Sequence, residues 1–147
     1  MLIIACGALA REVRAVSGQL PAFDLRCVPA TLHNRPQEIV PAIETILDET
    51  SGRYDRTVLA FGDCGTGGGL DRLCEARRVD RLPGAHCYAF FAGLPDFDAM
   101  MEEELGTFFL TNHSHYYYQQ PHSQIHWYLK TYSSFQLQHC DSLWYYY

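Results

Sequence analysis

The chain has 147 residues and a formal net charge of −6, with 19 % charged and 14 % aromatic residues. This length suits one domain with a sizeable core, and the acidic balance disfavours a nucleic-acid partner, which needs a basic face. No apolar run approaches the ~18 residues of a membrane span, so no membrane association is expected.

Leu2–Cys6 is a short all-apolar run, the pattern of a strand buried on both faces. It has the look of a lipoprotein cleavage box, but only five residues precede Cys6 and none is basic, so no leader is expected. After Gly7, the residues Leu9, Val13 and Val16 recur at helical spacing. Phe23–Val28 reads as a second strand closed by Pro29. Asn34 and Pro36 suit the cap and first turn of a helix, in which Ile39, Ile43, Ile46 and Leu47 form one stripe and Gly52 marks the end.

Thr57–Phe61 reads as a third buried strand, leading into the glycine loop Gly62–Gly69 and a helix carrying Leu70, Leu73 and Ala76. His86–Phe91 is the expected fourth strand and Asp96–Leu105 an acidic helix, with Thr107–Thr111 opening one more element. This alternation predicts an α/β fold with three layers and a mostly parallel, Rossmann-like sheet.

The composition shifts after Thr111. Residues 112–147 hold five histidines and eight tyrosines but one lysine, one aspartate and no arginine. The expected division is therefore an α/β domain at 1–111 and an atypical aromatic, histidine-rich tail at 112–147. Within the tail, Gln124–Trp127 and Tyr128–Phe135 are weak candidates for paired strands.

Six cysteines in a chain read as cytoplasmic suggest metal binding or thiol chemistry rather than a disulfide framework. Ligands of open α/β sheets bind beyond the carboxyl ends of the strands. Cys6 ends the first strand, Cys64 follows the third and Cys87 lies near the start of the fourth, so all three thiols face one crevice if that last strand begins a residue or two later; His33 follows the second strand and His86 adjoins Cys87. Three thiolates and an imidazole suit zinc, or an iron–sulfur cluster with one non-cysteine ligand. The alternative is that these small residues pack as hydrophobes. Cys27 and Cys74 are expected in the core, and Cys140 has no interpretable context.

In the glycine loop, Gly65, Thr66, Gly67 and Gly68 are candidates for cradling an anionic group on backbone N–H donors. The loop lacks the lysine of a P-loop and the G-x-G-x-x-G spacing, and a tight turn is the alternative. Cys64 and Asp63 are the catalytic candidates, with Asp63 either a base or partner to Cys64 or a cap of the following turn.

Six ordered blocks resemble one family: Ala5–Leu9, Leu32–Pro36, Asp63–Gly68, His86–Tyr88, Phe90–Gly93 and Gly106–Thr111. Together they look like the amino-terminal part of the domain of unknown function 1638 family of bacteria and archaea. That resemblance implies a setting beside corrinoid-dependent methyltransferase systems, hence one-carbon metabolism, where zinc can activate a thiol. The residues matching the blocks are Cys6, His33, Cys64, Gly65, Gly67, His86 and Cys87. After Thr111 the expected charged α/β continuation is replaced by the aromatic tail, which implies a truncated copy of the family fold.

Three functions follow as expectations. The first is a metal-thiolate enzyme or accessory protein of methyl transfer, partnered by a corrinoid or methyltransferase protein. The second is a nucleotide or S-adenosylmethionine binder without metal. The third is a structural subunit that self-associates or docks a partner through its aromatic tail.

Overall fold

The computed structural model describes residues 1–103. Four parallel strands form one sheet in the order β2-β1-β3-β4, with β1 at Leu2–Cys6, β2 at Asp24–Val28, β3 at Thr57–Ala60 and β4 at Asp80–Arg81. Helices α1 (Ala10–Ala15), α2 (Ile39–Glu49) and α3 (Gly69–Arg77) link them. The fold is α/β, and its sheet is covered on both faces.

Every residue of β1 is buried, because β1 is central and both of its faces are covered. On one face Leu2, Ile4 and Cys6 join Leu59 and Phe61 beneath the α2 stripe of Ile39, Ile43, Ile46 and Leu47, together with Leu70 and Leu73 of α3. On the other, Ile3, Ala5 and Ala60 pack with Val13 of α1 and with Leu25. Burying a Leu or Ile side chain contributes roughly 1.5–3 kcal/mol, which makes this double-faced strand the main source of cohesion.

The β1–α1–β2 link turns to one side of β1, and the β2–α2–β3 link crosses back over it on the opposite face, as right-handed crossovers require. The connections therefore diverge between β1 and β3, and the crevice beyond their carboxyl ends is the place where such sheets bind ligands.

Two expectations need correction. The fourth strand is Asp80–Arg81, not His86–Phe91. Pro83 and Gly84 (φ +135°) turn the chain, and i to i+3 bonds from Ala89, Phe90 and Phe91 to His86, Cys87 and Tyr88 then lead into the short helix α4 (Ala89–Ala92). Cys27 is exposed rather than core. It sits opposite Ala5 on the α1 side of edge strand β2, and the six residues of α1 are too few to cover it.

Helix α5 (Leu94–Glu103) enters a second compact unit, Pro95–Tyr147, of which residues 95–103 are described. The expected Thr107–Thr111 element, the boundary after Thr111, the paired strands at 124–135 and Cys140 lie outside the described residues. Among those described, no helix is long and apolar enough to cross a membrane.

Candidate metal centre

Three chain segments converge beyond the β1/β3 crevice. The first is the exit from β1, where the Cys6 sulfur accepts the Ala8 amide at 3.3 Å. Gly7 follows, and a β-carbon there would lie 3.1 Å from the Val28 carbonyl oxygen and 3.3 Å from the Ala30 nitrogen. The absence of a side chain lets the turn Ala30–Asn34 approach the β1 exit, which carries His33 to Cys6.

The second segment is the glycine loop. Asp63 organises it: its carboxylate accepts the Thr66 hydroxyl at 2.6 Å and the amides of Gly67 and Gly68 at 3.1 and 2.8 Å. These bonds favour the ionised form and hold the Asp63 carboxyl below its usual range, against the opposing effect of burial. Gly65, Gly67 and Gly68 have positive φ, which glycine adopts without strain. Cys64 does so as well at φ +51°, an uncommon conformation for a residue with a β-carbon.

The third segment is the turn after β4. The amides of Asp63 and Cys64 donate to the carbonyls of Gly84 and Ala85, each at 3.0 Å. Arg81, with 11 % of its side chain exposed, donates to the carbonyls of Phe61, Leu82 and Gly84 at 3.0–3.2 Å. It also bonds Asp71 at 2.6 Å. These contacts pin the loop carrying Cys64 to the turn carrying Cys87. Nothing in the sequence marks Arg81 for this role, since a single arginine in a charged stretch reads as a solvated surface residue.

One ring nitrogen of His33 and the sulfurs of Cys64 and Cys87 all lie within 4.8 Å of one another, and this set could hold a metal ion. Cys64 and Cys87 are 6 % and 5 % exposed. The His33 ring is oriented by its Nδ1, 3.0 Å from the Ala30 carbonyl oxygen. A carbonyl only accepts, so Nδ1 carries the proton and Nε2 is left as the donor atom, the arrangement usual for a ligating histidine.

His86 is arranged differently. Its Nδ1 accepts the Tyr88 amide at 3.3 Å, its ring lies 4.2 Å from that of Tyr88, and burial pushes its pKa down. A neutral ring accepting at Nδ1 carries its proton on Nε2, so neither nitrogen presents a free lone pair. Cys6 stands beside the group: its sulfur is 3.7 and 3.9 Å from the two nitrogens of His33, but it is not one of the three donors.

Without metal, the three donors form a charge-coupled set. Hydrogen bonds with Cys6 and Cys64 raise the His33 pKa to about 10, overcoming burial. A hydrogen bond from Cys87 leads the causes that lower Cys64 to about 4, with His33 contributing and burial opposing. The Cys87 thiol is pushed upward, first by Cys64 and then by burial. These shifts favour an imidazolium–thiolate pair of His33 and Cys64 beside a protonated Cys87.

The glycine loop has little left to offer an anion. The Thr66, Gly67, Gly68 and Gly69 amides all bond within the loop, to Asp63 or Thr66. Asp63 is committed to the same network, as the turn-capping alternative describes, and Gly65 packs beside Pro36. A shallow hollow lined by Pro36, Val40, Glu44, Thr66 and Arg72 contains none of the three donors.

Comparison with known proteins finds one family model, described as "Protein of unknown function (DUF1638)", that matches residues 27–139. The matched span includes His33, Cys64, His86 and Cys87, begins after Cys6, and runs beyond Thr111. No curated protein and no solved structure matches. The chain belongs to this family of unknown function, DUF1638.

Proposed function

We propose that this chain is a metal-thiolate protein that holds one zinc ion through His33 Nε2 and the thiolates of Cys64 and Cys87. The observation that supports this reading is the convergence of those three donors within 4.8 Å. Tetrahedral zinc with bonds of ~2.3 Å to sulfur sets sulfur–sulfur edges of ~3.8 Å. Small side-chain rotations reach that from the observed spacing. A mixed nitrogen/sulfur set suits borderline-soft zinc, whereas a four-iron cluster asks for four protein ligands.

Three protein ligands leave a fourth position, the signature of a catalytic rather than a structural zinc site. A thiol bound there loses its proton and becomes a nucleophile at neutral pH. The reaction class that follows is alkyl transfer to a thiol, with a corrinoid-bearing protein as the methyl donor in the setting the family resemblance implies. Such a centre needs reduced ligands, and a reducing compartment such as the cytoplasm would keep them so.

Metal analysis of the full chain purified without oxygen tests the reading. About one zinc per chain is expected, with loss of that zinc in Cys64→Ser and Cys87→Ser. A wild-type chain that is metal-free and takes up no stoichiometric zinc on titration overturns it.

A further inference from the structure

We propose that Cys64 and Cys87 are also a reversible oxidation site, at which a peroxide converts the two thiols into a disulfide and thereby empties the metal centre. Four observations carry this. The two sulfurs lie within 4.8 Å of each other. Their backbones are laced together by the Asp63–Gly84 and Cys64–Ala85 bonds. Gly62 fits so tightly that a β-carbon on it would come 2.7 Å from the Cys87 nitrogen. Finally, Cys64 holds a left-handed conformation in a loop bonded to the turn that carries Cys87.

The chemistry balances with one peroxide. The Cys64 thiolate attacks one peroxide oxygen, so an S–O bond forms as the O–O bond breaks. The departing hydroxide takes up the proton that Cys64 had released and leaves as water, with sulfur oxidised to a sulfenic acid. The Cys87 sulfur then attacks the Cys64 sulfur. The S–S bond forms, the S–O bond breaks, and the hydroxyl leaves with the Cys87 proton as a second water. Two thiols and one peroxide give one disulfide and two waters.

The disulfide itself does not need metal, but its consequence rests on the zinc reading: a disulfide has no thiolate to offer, so both sulfur ligands vanish together and zinc is released with its charge unchanged. Cys6, near His33 but outside the donor group, is not the partner.

The test treats the full chain, with and without zinc, with stoichiometric hydrogen peroxide, then blocks free thiols and maps peptides. The expected result is a Cys64–Cys87 link, release of bound zinc to a chromogenic chelator in proportion to that link, and recovery of both with dithiothreitol. In Cys87→Ser, a sulfenic-acid probe should label Cys64 instead. A chain that binds zinc but forms no such link, or links Cys64 to another cysteine, overturns the oxidation site and leaves the zinc reading standing. A chain that links Cys64 to Cys87 yet never binds zinc removes the zinc reading and keeps the dithiol.

Discussion

Gly62 lies so close to Cys87 that a β-carbon on it would sit 2.7 Å from the Cys87 nitrogen and 2.6 Å from the His86 carbonyl carbon. Both obstacles are backbone, so no side-chain rotation relieves them. The glycine holds the exit of β3 against the turn after β4, and the spacing of Cys64 and Cys87 depends on that contact.

Gly62→Ala should therefore cost about 1–3 kcal/mol in urea denaturation, the usual penalty for overpacking, and should weaken zinc binding. Gly18→Ala is the matched control, because nothing lies within 4 Å of the added carbon. It should stay within ~0.5 kcal/mol of the wild type. Equal stability for the two variants would mean that the β3 and β4 exits are not in contact.

The two histidines should separate cleanly. His33→Ala removes a donor and is expected to lower zinc affinity by at least ~100-fold. His86→Ala, which removes a neighbour whose Nδ1 is already engaged by Tyr88, should lower it ~10-fold or less. Competition with a chromogenic chelator reads both. The reverse order would assign the ligand to His86.

Arg81 should behave as a positioning residue. Arg81→Met keeps the aliphatic stem but removes the donors to the Phe61, Leu82 and Gly84 carbonyls. The Gly84 carbonyl keeps the Asp63 amide and the Leu82 bond is exposed, so chiefly the Phe61 carbonyl loses its donor, and stability should fall by about 1–3 kcal/mol, the cost of one buried group left unsatisfied. Zinc affinity should fall ~10–100-fold. An affinity unchanged at a temperature where the variant is fully folded would confine Arg81 to stability alone.

In the metal-free protein, stability should follow pH in three stages. Cys64 is lowered from 9.0 to about 4, so between these values the unfolded chain holds a proton the native chain lacks, and stability rises with pH. His33 is raised from 6.5 to about 10, so in that window the native chain holds the extra proton and stability falls. The two slopes oppose each other between pH 6.5 and 9. The expected profile climbs from about pH 4 to 6.5 and is level to about 9. Above that it declines, since Cys87 is also raised above 9.0 and keeps its proton in the native state. Urea midpoints across this range give the profile. Thiolate absorbance in the ultraviolet, persisting at pH 6 and vanishing near pH 4, gives the Cys64 titration directly. A flat profile with no thiolate signal at neutral pH would contradict the pairing of Cys64 with His33.

Much of the fold is legible in the chain. The unbroken apolar run of Leu2–Cys6 reads as a strand buried on both faces, and the Ile39, Ile43, Ile46 and Leu47 stripe reads as a helix packed on the core. Both are local patterns, and burial enforces them. Cys6 and Cys64 are legible at strand exits, because an α/β alternation places those exits at one edge, whereas Cys87, read at the start of a strand, lies in the turn after β4.

Tertiary structure alone decided the rest. Asp80–Arg81 is a strand because β3 offers it an edge, not because two charged residues prefer one. Cys27 is exposed because α1 is short. His33 rather than His86 brings a ring nitrogen within 4.8 Å of both sulfurs, its ring oriented by the Ala30 carbonyl, whereas His86 Nδ1 is engaged by the Tyr88 amide. The sequence by itself determined the first three strands, the α2 stripe and the edge that carries Cys6 and Cys64, since periodic burial is written residue by residue. Which donors meet was decided by backbone contacts between distant loops, through Gly7, Gly62 and Arg81, and such contacts leave no periodic trace in the chain.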